Sequence, residues 1–169
     1  GEVGIKKVYN GAIAYTPDGT AAYVTSYSMG TVAVVNTTNN SVTTTISVGT
    51  GPRGVFVRGT TVYIANGNAT VSVIDTGSNQ VTATITGVGA FPIDIVVNAA
   101  NTIGYVTDYF SASVLVVDLG TATVTATIAV GDNPWGITIS PDGSTLYVAN
   151  TGSGSVSVID SGTNSVTET

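Results

Sequence analysis

One motif recurs four times in this chain, and no other feature limits its fold so strongly. Tyr23, Tyr63, Tyr105 and Tyr147 each sit in a short apolar run (AAYVTS, TVYIAN, IGYVTD and TLYVAN), at intervals of 40, 42 and 42 residues. Each is followed by a second apolar run closing on Asn36, Asp75, Asp118 or Asp160, then by a polar turn and another alternating run. Apolar and polar residues alternate with the period of strands. A spacing of about forty residues with several strands per unit predicts β-propeller blades. A single unit cannot bury its own apolar faces, so the units must stack.

The fourth unit shows the plan. Pro134-Trp135-Gly136 opens it, Ile137–Ser140 reads as the first strand, Thr145–Asn150 as the second and Ser155–Asp160 as the third; a fourth starts at Val166 and runs to Thr169. Pro141-Asp142-Gly143 makes the first turn, since proline presets φ and Asp and Gly accept the tight geometry that follows. The chain thus divides into a segment 1–9 and blades at 10–49, 50–89, 90–131 and 132–169, the last with a shortened outer strand. The expected fold class is all-β, a propeller of four four-stranded antiparallel blades. Four blades could close on themselves, form a half ring, or form an open array completed by another copy.

An open stack leaves apolar faces in water, at about 25 cal/mol per Å2, and leaves unpaired strand edges. Self-association through the terminal blades is therefore expected. Residues 1–9 (GEVGIKKVY) are candidates to donate or close a strand beside the truncated SVTET of blade 4, in the same chain or a neighbour. The sequence starts at Gly1 rather than methionine and shows no secretion signal, as a processed leader or an excised piece would leave it.

Charge and composition narrow the function. The formal net charge is −6, and the only cations are Lys6, Lys7, Arg53 and Arg58. Four scattered cations cannot build a phosphate-neutralising groove, so nucleic acid is not an expected partner. No apolar run approaches the roughly 20 residues of a membrane span, and membrane insertion is not expected. With no histidine and no cysteine there is no Ser-His or Cys-His nucleophile and no zinc site of the usual kind. No cofactor is expected. Scarce lysine with abundant Ser, Thr and Asn suits an extracellular surface, where the sequons at Asn36, Asn39 and Asn68 are candidate glycan acceptors.

Most of the ten acids fall in turns or at repeat-equivalent positions. Asp75, Asp118 and Asp160, with Asn36, share one slot at a strand end, where bonding to turn amides is the expected role; Asp18 and Asp142 have the same role in the PDG turns. The informative positions are those where the repeats disagree. One end of the blades gathers Arg53, Ile93 and Trp135, followed by Gly54, Asp94 and Gly136, together with the loops holding Tyr27-Ser28-Met29, Asn66-Gly67-Asn68, Asp108-Tyr109-Phe110 and Asn150-Thr151. Arg53, Asp94, Trp135, Tyr27, Tyr109, Phe110 and Asp108 form a candidate ligand face at the channel mouth, with Arg53 supplying charge and Trp135 a stacking surface for a glycan, a peptide or a small anion. The alternative is that Trp135 plugs the channel or packs on the next blade, with Arg53 pairing Asp94. Calcium on Asp94, Asp108 and Asp132 would need only oxygen ligands, but no loop has a calcium-binding spacing, and no metal is expected.

The strings SPDGSTLYVAN (140–150), VSVIDTGSNQVTATI (71–85) and VSVIDSGTNSV (156–166) resemble the YVTN-type β-propeller repeat of archaeal and bacterial surface-layer proteins and lactonase-like propellers. The resemblance runs from Asn10 to Thr169 and implies a propeller fold and an extracellular, cell-surface or periplasmic setting. Rings of that family have about seven blades, against the four read here. The expected function is non-catalytic: a structural or adhesive surface-layer protein, forming homo-oligomers or head-to-tail filaments, with a glycan or a cell-surface protein as partner. The alternative is a ligand-binding module. A lactonase-like hydrolase, the third reading, requires acids or metal ligands converging on the channel, where Asp94 stands alone.

Overall fold

The structure, a computed structural model, describes residues 10–169; the strand donation expected of Gly1–Tyr9 lies outside the described residues. It contains sixteen strands in four antiparallel sheets, each ordered as its strands follow in sequence. Blade 1 holds β1 (Asn10–Tyr15), β2 (Ala21–Ser26), β3 (Thr31–Asn36) and β4 (Ser41–Ser47), with a single 3-10 turn at Tyr27–Met29. Blade 2 holds β5 (Pro52–Arg58), β6 (Thr61–Asn66), β7 (Thr70–Asp75) and β8 (Gln80–Thr86). Blade 3 holds β9 (Pro92–Val97), β10 (Ile103–Asp108), β11 (Ser113–Asp118) and β12 (Thr123–Ala129). Blade 4 holds β13 (Pro134–Ile139), β14 (Thr145–Asn150), β15 (Ser155–Asp160) and the short β16 (Ser165–Glu168).

The repeat is also a repeat of register. Tyr23 faces Val34 across the ladder, Tyr63 faces Val73, Tyr105 faces Val116 and Tyr147 faces Val158. Each inner strand slips register near its start, between Asn10 and Ile13 in blade 1 and between Pro52 and Val55 in blade 2, with the same shift in blades 3 and 4. The slip takes residues 11–12, 53–54, 93–94 and 135–136 out of the ladder, as a bulge does, and turns them toward the channel.

The turn carboxylates act as the sequence suggests. Asp75 accepts hydrogen bonds from the amide and hydroxyl of Ser78, Asp118 from the amides of Gly120 and Thr121, Asp160 from the amide and hydroxyl of Thr163, and Asn36 from the amides of Thr38 and Asn39. These bonds favour the ionised form and hold the Asp75, Asp118 and Asp160 carboxyls below the usual range, as the Thr16, Thr20, Ser140 and Ser144 bonds do for Asp18 and Asp142.

The inner strands β1, β5, β9 and β13 lie side by side, and three apolar cores fill the spaces between successive blades. The first three motif tyrosines face forward, onto the following blade. Tyr23 donates its hydroxyl to Asn79 of blade 2 at 2.7 Å, and Tyr63 to Asn101 of blade 3 at 3.1 Å. These two, with Tyr105, are 1–4% exposed, whereas Tyr147 of the last blade is 45% exposed. β13 does not pack on β1 as the other inner strands pack on their neighbours. The four blades form an open arc.

Within the arc the blades alternate in kind. In blades 1 and 3 the residue after the motif valine is a threonine, Thr25 or Thr107. Its hydroxyl receives the amide of its own inner strand (Ala12 at 2.8 Å, Asp94 at 3.1 Å) and donates to a carbonyl of the next blade (Arg53 at 2.7 Å, Trp135 at 2.8 Å). In blades 2 and 4 that residue is alanine, Ala65 or Ala149, and a buried asparagine follows. Asn66 donates to Thr70 and Ser72, and Asn150 to Ser155 and Ser157, all at 2.9–3.1 Å. The structural period is thus two blades.

Candidate ligand-binding site

The displaced residues of the inner strands and the loops between second and third strands meet at one end of the arc. Arg53 lies at their centre. Its guanidinium carbon is 4.4 Å from the ring centre of Tyr27 in blade 1, 4.9 Å from that of Phe91 in blade 3 and 5.6 Å from that of Trp135 in blade 4. The aromatic set continues outward. Tyr109 packs edge-on against Trp135, with centroids 5.9 Å apart, and against Phe110 at 5.2 Å; Phe91 lies 5.0 Å from Phe110. Edge contacts and a cation over ring faces are the arrangements favoured by the ring quadrupole, each contributing about 0.5–1.5 kcal/mol. Phe110 and Trp135 remain 69% and 46% exposed, so the cluster has an outer surface.

Every blade contributes to holding Arg53. The Thr25 hydroxyl fixes its carbonyl, and the bulged start of β5 lifts its side chain out of the ladder. Thr107 holds the Trp135 carbonyl in the same way two blades later. Beneath the guanidinium a cavity of about 110 Å3 is lined by Gly11, Ala12, Arg53, Gly54, Ile93, Asp94 and Trp135.

Of the candidate ligand-face residues, the structure brings Arg53, Tyr27, Tyr109, Phe110 and Trp135 together and puts Asp94 at the floor. The alternative, an Arg53–Asp94 ion pair, is not the arrangement found. The Asp94 carboxylate accepts from the amide of Ile95 at 2.9 Å and from that of Ile137, on blade 4, at 3.3 Å. Arg53 faces rings instead, and its Nε is buried without a hydrogen-bond partner among the described residues. Burial pushes the Asp94 carboxyl above the usual range, with the two amide bonds opposing. Nor does Trp135 plug the channel: it stands half exposed at the rim.

Asp108 also departs from expectation. It is buried, and its oxygens accept from the amides of Ala90 and Phe91 at 2.8 Å and from the Ser111 hydroxyl at 2.6 Å. Its role is to anchor the loop that carries Phe91 rather than to face a ligand. Phe91 itself was not legible as a site residue. It occupies the position of Gly51 and Asn133 just before the blade-opening proline, and the one signal was that a bulky apolar residue interrupts an otherwise small or polar loop. Among the described residues no three acids gather as a metal site would need; Asp108 is taken up by amides, and calcium on Asp94, Asp108 and Asp132 is not supported. Of the sequon residues, Asn39 and Asn68 are exposed and Asn36 is half-buried.

No family model matches the chain, and no curated protein sequence matches it. Among solved structures it is similar to a chain of Kuenenia stuttgartiensis hydrazine synthase, at 27% identity and a TM-score of 0.85, over 97% of this chain and 51% of that one. The chain therefore spans about half the length of this neighbour. Fold and register together define an all-β protein made of β-propeller blades.

Proposed function

We propose that the chain is a non-catalytic recognition module that binds an acidic, ring-bearing ligand, such as a uronate-containing glycan, at the Arg53 cluster. One observation carries the reading: an arginine with no carboxylate partner among the described residues is held among aromatic rings whose outer members are exposed. A guanidinium stacked on rings keeps its N–H edge for a ligand carboxylate, and the rings offer apolar faces to the C–H faces of a sugar. Asp94 is the one carboxylate at the cavity, whereas carboxylate-based hydrolysis uses two. Scarce lysine and the YVTN resemblance support an extracellular or cell-surface setting.

Trp135 is the only tryptophan, so its fluorescence reports this site alone. Titration with glucuronate-containing oligosaccharides should shift its emission saturably, and the neutral sugars should bind more weakly. Arg53→Ala should remove the preference for the acidic sugar, at least about tenfold in affinity. Equal response to acidic and neutral sugars, or none to either, would sink the proposal.

A further inference from the structure

The first hairpin of blade 2 is shorter than the others, and a cavity opens where it falls short. Five residues join the first two strands of blades 1, 3 and 4, whereas Gly59 and Thr60 alone join β5 to β6. Two consequences show in the seam between blades 1 and 2. Tyr63 donates to Asn101, which lies in the five-residue turn of blade 3; blade 2 has no residue at that place, and Tyr23 bonds Asn79, in the turn between β7 and β8, instead. The position after Asn36, Asp75, Asp118 and Asp160 tells the same story. Thr37 and Ser161 donate to the carbonyls of Gly19 and Gly143, in the long turns of their own blades, both at 2.6 Å. In blade 3 that position is Leu119, which packs against the core between blades 2 and 3. In blade 2 it is Thr76, whose hydroxyl makes no such bond among the described residues and borders the cavity. The cavity measures about 530 Å3, the size of sites that hold small organic ligands.

We propose that this cavity is a second binding site, for a neutral sugar. Its polar groups are uncommitted and of mixed kind. Asn36 Oδ1 is taken by the amides of Thr38 and Asn39, and Asn79 Oδ1 by the Tyr23 hydroxyl, which leaves both side-chain NH2 groups as donors. The hydroxyls of Thr60 and Thr76 can give or take a hydrogen bond. The three bonds that Asp18 accepts from Thr16 and Thr20 all end on Oδ1, which leaves Oδ2 as an acceptor. Each hydroxyl of a sugar both donates and accepts, and a lining of this kind satisfies both halves. Pro17 and Val34 add apolar surface for its C–H faces. Charge sets the class. No cation lines the cavity, whereas Asp18 does, and the nearby Asp75 carboxylate adds to burial in raising the Tyr23 pKa, so an anion would be repelled. The site is distinct from the Arg53 cluster in place as well as in ligand. Arg53 is near the start of β5 and Gly59 follows its end, a separation of about 20 Å at the rise of an extended strand. The inference therefore does not rest on the recognition reading.

The test is proton–nitrogen correlation NMR of the whole chain, titrated with glucose, galactose, mannose and N-acetylglucosamine, with glucuronate for comparison. At least one neutral sugar should saturably shift the backbone amides of Thr60 and Thr76 and the side-chain NH2 signals of Asn36 and Asn79, before the Trp135 indole signal moves. Glucuronate should bind there more weakly. Thr76→Leu gives blade 2 the residue that blade 3 carries at the same position; it should weaken binding at least about tenfold while the melting temperature holds or rises. Lengthening the Gly59-Thr60 turn to the five residues of blade 1 should abolish binding as well, so the result does not hang on one variant. Absence of saturable shifts at these residues with every neutral sugar up to about 100 mM would overturn the proposal. So would glucuronate binding there as tightly as the neutral sugars, or undiminished binding by a folded Thr76→Leu chain. Trp135 emission reads the Arg53 site alone, so each reading can fail without the other.

Discussion

At the scale of single residues the chain titrates in two opposed senses. The five turn carboxylates, Asp18, Asp75, Asp118, Asp142 and Asp160, have lowered pKa values when folded. Their contribution is present above the unfolded value of 3.8 and is lost as pH falls through the folded values. Asp94 runs the other way. With its folded pKa raised, the folded state holds the proton more tightly, so stability declines as pH rises from 3.8 through the folded value. In thermal melts Asp94→Asn should therefore gain on the wild type as the pH is raised from 3 to 8; a difference in melting temperature independent of pH would refute this assignment. Gly54→Ala belongs at the same scale. Its new methyl would sit 2.6 Å from the Asp94 Cα, a backbone atom that cannot swing away, and a loss of about 1–3 kcal/mol is expected in urea unfolding.

At the scale of the blade, stability lies in the seams. Each core lies between two sheets, so the interactions that matter cross from one repeat to the next. Thr107→Val keeps the shape but strips the hydroxyl that joins the Asp94 amide to the Trp135 carbonyl; a loss of about 1–3 kcal/mol is expected, with a changed Trp135 emission as the local readout. Ile64→Ala opens the seam between blades 1 and 2 and should cost about 2–5 kcal/mol. The strands themselves were legible because tyrosine, valine and isoleucine alternate four times over. Their pairing in sequence order followed from turns too short for any other connection. The distinction between blades was written in the chain too, as Thr25, Ala65, Thr107 and Ala149, but the meaning of a threonine there depends on a carbonyl about 28 residues away. A repeat aligned on its apolar residues passes over it.

At the scale of the whole molecule, the site was legible as a collection of residues and not as an arrangement. Loop positions that broke the repeat indicated Tyr27, Arg53, Tyr109, Phe110 and Trp135. What each side chain faces is decided by neighbours on three other blades, which is why the sequence left Arg53 between a ligand and Asp94 while the structure has it on rings, and why Asp108 was expected at the rim and is found beneath a loop. The alternation of blades carries one more consequence, for anyone who would lengthen or shorten the arc. Threonine-bearing and asparagine-bearing blades fit as complements, so the natural module is a pair. Duplicating residues 90–169 should give six blades whose every junction joins kinds already joined in the parent, whereas inserting one blade would set two of a kind face to face, and between two asparagine-bearing blades the glycine that admits Asp94 would meet a second glycine and leave a gap.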